Sequence, residues 1–247
     1  MGQVVLITSG KGGAGKTTFT ANIGAALTRR EKSVLLIDAN FGLRNLDIVL
    51  GVADRVVFDI YDVASGGCGI DDAIIDHPRC ENLYMIASTQ DIGGRRVEKS
   101  RFAQVVSQVR GRFDFIVIDG AAGIGESFAS ACGDVDSAII ITTPNPCSIR
   151  DSEQVALKLE QLGIERIKMV INRVSHRTMK EAGSMNIDEI IDAVRIGILG
   201  IVPEDMRLCR DMDTGVLPFE DFYVKANTAF FNISRRMCGE TVPVMKI

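Results

Sequence analysis

Gly10-Lys11-Gly12-Gly13-Ala14-Gly15-Lys16-Thr17 follows an apolar run, residues 4–8, and leads into a stretch of helical periodicity, residues 16–29. The octet matches the pattern G-x-x-x-x-G-K-[ST] in full. Such a loop needs glycines because its backbone N–H groups must curl around phosphate oxygens with dihedrals that side chains forbid. In this pattern Lys16 reaches the β- and γ-phosphates as a point charge, and the Thr17 hydroxyl ligates Mg²⁺. The helix expected from Lys16 adds roughly half a positive charge at its N-terminus, aimed at the same phosphates. The motif therefore predicts a nucleoside triphosphate and Mg²⁺ as ligands.

Further along the chain, β-branched runs alternate with helical patterns. Strands are predicted at residues 4–8, 34–38, 83–87, 115–119, 138–142, 169–172 and 198–202. Helices are predicted at residues 16–29, 97–109, 151–162, 187–194 and 224–237. Several strands are apolar throughout, as expected where both sheet faces are covered. The fold class is α/β, a P-loop NTPase with a mostly parallel sheet and helices on both faces. Ligands of such sheets sit beyond the carboxyl ends of the strands. Those ends are chemically loaded here: the glycine-rich octet, Asp38, and Asp119 followed by Gly120-Ala121-Ala122-Gly123.

Composition sets the remaining bounds. With 247 residues, 46% of them hydrophobic, a single domain spanning residues 1–247 is expected. Lys and Arg number 28 against 32 Asp and Glu, a net charge of −4 that disfavours broad nucleic-acid contact. The six cysteines include no C-x-x-C pair, and His77 and His176 have no ligand-like spacing, so no metal other than Mg²⁺ is expected and both histidines are read as loop surface. The chain opens without a charged signal-peptide start, and no run approaches the ~20 apolar residues of a membrane span. A cytoplasmic protein is the expectation.

K-G-G-x-G-K-T, with its early Lys11, resembles the deviant phosphate loop of the MinD/ParA ATPases. The segment Gly42-Leu43-Arg44-Asn45-Leu46-Asp47 is similar to that of the MinD-type branch in particular. Collinear likenesses follow at Arg55-Val56-Val57-Phe58-Asp59, Ala122-Gly123-Ile124, Ser148-Ile149-Arg150-Asp151-Ser152 and Val202-Pro203-Glu204-Asp205. The resemblance covers residues 2–220 or so. It implies a switch in which two subunits close face to face on two Mg-ATP molecules and part after hydrolysis. Gly10 and the run Gly12, Gly13, Ala14, Gly15, Lys16, Thr17 and Thr18 would hold the triphosphate, and Lys11 would reach the partner's nucleotide. Asp119 would hold Mg²⁺ through water, and the Gly123 N–H would sense the γ-phosphate. Asn172 and Arg173 would frame the adenine, with Pro203, Glu204 and Asp205 on its other side. The implied role is spatial regulation of cell division at the septum site, with partners of the MinC and MinE kind.

Three departures from the family pattern qualify that picture. Asn40 stands where the family places an aspartate that helps position the attacking water; asparagine cannot carry charge or take the proton. Nucleotide binding would survive while hydrolysis slows, with Asp38 left beside it. The loop after Asp119 has Ala121 where proline is usual, which leaves φ free. The tail from Thr241 to Ile247 contains Pro243 and is too short for the amphipathic helix with which the branch meets membranes. Attachment to the inner face of the cell membrane would then run through partners. Two other readings stay open: a ParA-like partitioning ATPase, and an ATP-binding adaptor with very slow hydrolysis.

Overall fold

The structure, a computed structural model, describes residues 2–90, 95–175, 178, 187–217 and 224–244. His176 and the last three residues of the tail lie outside the described residues. Eight strands form one sheet: β1 (Gln3–Ser9), β2 (Val34–Ala39), β3 (Ile75–Asp76), β4 (Leu83–Ile86), β5 (Phe115–Ala122), β6 (Ser137–Thr142), β7 (Ile167–Val174) and β8 (Ile198–Pro203). Their order is β3-β4-β2-β5-β1-β6-β7-β8, and every pairing is parallel except β3 with β4. The helices are α1 (Lys16–Thr28), α2 (Leu46–Val49), α3 (Ile60–Ser65), α4 (Ile70–Ala73), α5 (Lys99–Val109), α6 (Glu126–Ala131), α7 (Pro146–Gln161), α8 (Ile187–Val194), α9 (Met206–Asp213) and α10 (Lys225–Met237).

Successive strand residues point to opposite faces, so the apolar strands feed two cores. Val4 and Leu6 of β1 join Phe102, Phe128, Leu159 and Ile190 on one side. Val5 and Ile7 join Phe19, Leu27, Phe230 and Ile233 on the other. That two-sided burial explains why β1, β2 and β6 carry almost no polar residue before their carboxyl ends. The helix over residues 224–237 packs on the domain as α10, with Phe230 and Ile233 buried.

The structure extends the sequence reading at several points. The helix expected from residue 151 begins at Pro146: Asn145 caps it through the Cys147 N–H (3.0 Å), and proline at the first turn loses no needed donor. Its first turn hides from periodicity because Ser148 and Ser152 are buried yet polar, Ser148 accepting from the Thr143 N–H (3.2 Å). The short α2, α3, α4 and α6, of four to six residues, fall below the length at which a helical period registers. His77 is not loop surface: it is 9% exposed and its Nε2 lies 3.1 Å from the Leu50 carbonyl, with burial lowering its pKa. Next to it, the turn after α2 meets the turn after α9 backbone to backbone. A Cβ added at Gly51 would come within 2.4 Å of the Gly215 carbonyl oxygen.

Candidate functional site

β1 hands directly into the glycine-rich loop, and Gly15 is the N-cap of α1 with φ 94°. No side chain caps α1 and no acidic residue occupies its first turn, so its positive end is left for an outside anion. A Cβ at Gly12 or Gly13 would meet nothing within 4 Å, so both glycines border open space. Gly10 differs: its Cβ would strike Asp151 of α7 at 2.4 Å, so glycine there lets the loop lie against that helix. The Ser9 hydroxyl donates to the Lys11 carbonyl (2.8 Å) and accepts from Lys16 Nζ (3.1 Å). Burial lowers the Lys16 pKa, and the charge of Asp119 opposes that shift. Lys11 itself is exposed at the rim.

Asp38 and Asp119 are register partners across β2 and β5, both buried at the carboxyl rim. Asp119 accepts from Thr17 Oγ1 (2.7 Å) and Thr20 Oγ1 (3.2 Å). Asp38 accepts three backbone N–H bonds, from Asn40 (2.9 Å), Asn45 (3.1 Å) and Leu46 (3.1 Å). The loop between β2 and α2 is thus wrapped around one carboxylate, and Arg44 locks it further through Asp47 (2.7 Å). Burial pushes Asp38 up to about 7, with the Asp119 charge adding to the rise. Burial also raises Asp119, to about 6, against the pull of Thr17, Lys16 and Thr20. Two buried carboxyls beside a threonine hydroxyl form a hard oxygen donor set, suited to Mg²⁺. The phosphate loop and this pair fit Mg-nucleotide together.

Both carboxyls bind their protons more tightly in the fold than in the unfolded chain. The native state therefore holds more protons across roughly pH 4 to 7, and the pair's contribution to stability falls as pH rises through that window. Asp119→Asn is expected to raise the Tm of the ligand-free protein at pH 8. The same variant should lose the added Tm that Mg²⁺ gives in the presence of ADP. Thermal melts with and without Mg²⁺ check this; an equal metal response in variant and parent would remove Asp119 from the metal site.

Asn172, at the carboxyl end of β7, donates from Nδ2 to the Ala14 carbonyl (2.8 Å), tying the phosphate loop to the second half of the sheet. Arg173 follows with φ 57°, at a break in the β7–β8 register. A cavity of about 270 Å³ opens there, lined by Gly15, Thr18, Asn172, Arg173, Pro203, Glu204 and Asp205. All five residues expected around the adenine thus share one cavity with the end of the phosphate loop. Leu208, Cys209, Met212 and Asp213 of α9 and Phe19 and Phe230 complete the wall. No sequence motif marked the α9 and α10 residues. Their only signal was apolar spacing on α9, whose N-cap is Asp205 (3.0 Å to the Arg207 N–H).

Gly123 sits at φ 76° and its N–H donates to the Ser9 carbonyl (2.8 Å). The group expected to meet a γ-phosphate is therefore turned onto the first strand in this structure. Asn40 is half-buried at the end of β2, its main chain held by Asp38. Leu43 and Ile124, 68% and 53% exposed, flank the same rim.

The CobQ/CobB/MinD/ParA nucleotide binding domain matches residues 5–219. The chain is 37% identical to the septum site-determining protein MinD of Synechocystis sp. over 246 residues, 99% of this chain and 92% of that one. It superposes on the MinC:MinD cell division protein complex of Aquifex aeolicus with a TM-score of 0.91 and 35% identity, covering 99% of this chain and 98% of that one. The septum site-determining protein MinD of Pyrococcus horikoshii, solved with Mg-ADP, gives a TM-score of 0.87 at 28% identity, with 96% of each chain covered.

Proposed function

From the premise that this chain belongs to the MinD/ParA nucleotide-binding family, we propose that it is a MinD-type ATPase that regulates septum placement by dimerising on Mg-ATP. One observation carries the reading. A backbone-lined phosphate cradle, a buried carboxylate pair and an adenine-sized cavity open on the same rim of one sheet.

The residues divide the work by position. Backbone N–H groups from Gly12 to Thr18 grip the phosphates, and Lys16 neutralises their outer charge. Thr17 and Asp119 hold Mg²⁺, Asp119 through water; the ion supplies neutralisation of charge on the β- and γ-phosphates. Asn172, Arg173, Pro203, Glu204 and Asp205 frame the base. Lys11, exposed and outside the chain's own site, reaches the nucleotide of a second subunit. Asp38 keeps the β2–α2 loop in place beside Asn40. Because Asn40 lacks a charge and a site for the water's proton, turnover is slow and the ATP-bound dimer long-lived.

A partner of the MinC kind, and one of the MinE kind, would read the dimer; membrane contact would come through such partners. Among the described residues no helix is long and apolar enough to cross a membrane. Asn40 also favours the second reading, an ATP-holding adaptor in which hydrolysis hardly contributes.

Size-exclusion chromatography with ATP, ADP or no nucleotide, run beside phosphate release, tests the proposal. A dimer is expected with Mg-ATP alone, and Lys11→Ala should remain monomeric while still binding Mg-ADP. A parent chain that stays monomeric with saturating Mg-ATP would overturn the switch. Dimerisation with no phosphate release over hours would favour the adaptor.

A further inference from the structure

The opposite end of the sheet carries a second cavity that the nucleotide chemistry does not use. It lies at the amino ends of β1, β6, β7 and β8 and has a volume of about 800 Å³. Strand residues rise about 3.3 Å each, so it sits roughly 15–20 Å from the phosphate loop. Its floor is apolar: Val5, Ile139 and Leu199, each less than a tenth exposed, with Met237 from the end of α10.

The rim carries more cations than carboxylates. Arg166 precedes β7, and Lys168 stands in register with Ile139 of β6, its ammonium lying over Gly197 just before β8. Neither has a carboxylate partner among the described residues. Arg236 is the third cation, and its guanidinium bonds only carbonyls: Leu199 (2.9 Å), Val242 (2.9 Å) and Pro243 (2.5 Å). A carbonyl satisfies the N–H groups without cancelling the charge. Arg110, the fourth cation on the lining, differs in being paired with both Asp134 and Asp136. Asp134 and Asp136 also line the cavity, so its four cations and two carboxylates leave a net charge of +2 beside an apolar floor. Burial leaves Arg236 easier to deprotonate than an ordinary arginine, as expected for a cation that lacks an anion.

We propose that this cavity binds an amphiphilic anion, a single molecule with a carboxylate head set between Arg166, Lys168 and Arg236 and an apolar chain lying on Val5, Ile139 and Leu199. Its size falls within the range of small-molecule sites, and an apolar floor under a charged rim suits a ligand with both characters. A neutral amphiphile would gain the floor but not the rim; a short anion would gain the rim but not the floor. Nucleotide and amphiphile would bind independently, at opposite ends of the strands.

Calorimetric titration of the full chain with decanoate below its micellar concentration provides the test, with decanol and butyrate as the uncharged and chainless probes. One site is expected for decanoate, with decanol and butyrate each at least tenfold weaker. Arg166→Gln combined with Lys168→Gln, both at exposed positions, should weaken decanoate about tenfold while leaving the affinity for Mg-ADP unchanged. Saturating Mg-ADP should leave decanoate binding as it was. Absence of decanoate binding, equal affinity for decanol, an unaffected double variant, or competition with Mg-ADP would each overturn the assignment.

Discussion

Asn40→Asp speeds phosphate release from saturating Mg-ATP by about a hundredfold, on the scale of restoring one charge-stabilising group to an active site. The change is nearly isosteric, and the main chain at this position is already fixed by the bond from the Asn40 N–H to Asp38 (2.9 Å), so the fold need not move to accept it. What changes is charge. A third carboxylate joins Asp38 and Asp119 at the rim, where it can hold the attacking water and receive its proton. The same charge should repel the buried pair, lowering the Tm of the ligand-free variant at pH 8 relative to pH 6. Single-turnover phosphate release gives the rate. An unchanged rate, with Mg-ATP binding intact, would mean that Asn40 is not what slows the chemistry.

Gly15→Ala should reduce affinity for Mg-ADP by a hundredfold or more. Two costs coincide at this residue. Its φ of 94° is strained for any side chain, by about 1–2 kcal/mol. Its Cβ would also arrive 2.4 Å from Asn172 Nδ2, forcing that amide off the Ala14 carbonyl. The phosphate loop, the start of α1 and the cavity wall at Asn172 would all shift together. Gly163→Ala supplies the comparison: it has φ 84° but open space around its Cβ. That variant should lose several degrees of Tm to strain alone and bind Mg-ADP as the parent does. Calorimetry that finds Gly15→Ala binding normally would separate the Asn172 tie from nucleotide recognition.

The phosphate loop and the two rim aspartates were legible because their chemistry is local. A glycine pattern, a lysine and strand-end carboxylates announce themselves within a few residues. All seven longer strands could be located for a related reason: burial on both faces leaves an apolar run with no alternation to dilute it. The wall of the cavity beside Gly15 was only half visible. Asn172 and Pro203, at the carboxyl ends of β7 and β8, were marked by the family resemblance, whereas Met212 and Phe230 reach the cavity from helices whose apolar faces look like any core face. His77 misled for want of a partner in the sequence; the Leu50 carbonyl that holds it is 27 residues away. The opening turn of α7 stayed hidden because a buried serine reads as surface until its hydrogen bonds to Thr142 and Thr143 are seen.

Gly123 has a tenant of its own. With its amide already given to Ser9, the loop after β5 can turn toward a third phosphate only by surrendering that bond. An uncharged bargain of one amide for another would be close to neutral, but an ionised oxygen accepts about twice as strongly as a carbonyl. A diphosphate, lacking that third phosphate, would offer no such exchange and would leave the Gly123–Ser9 bond in place. If the Gly123 amide meets the γ-phosphate as proposed, discrimination between the two nucleotides would come from swapping one acceptor for a stronger one, with the strand itself acting as the competitor.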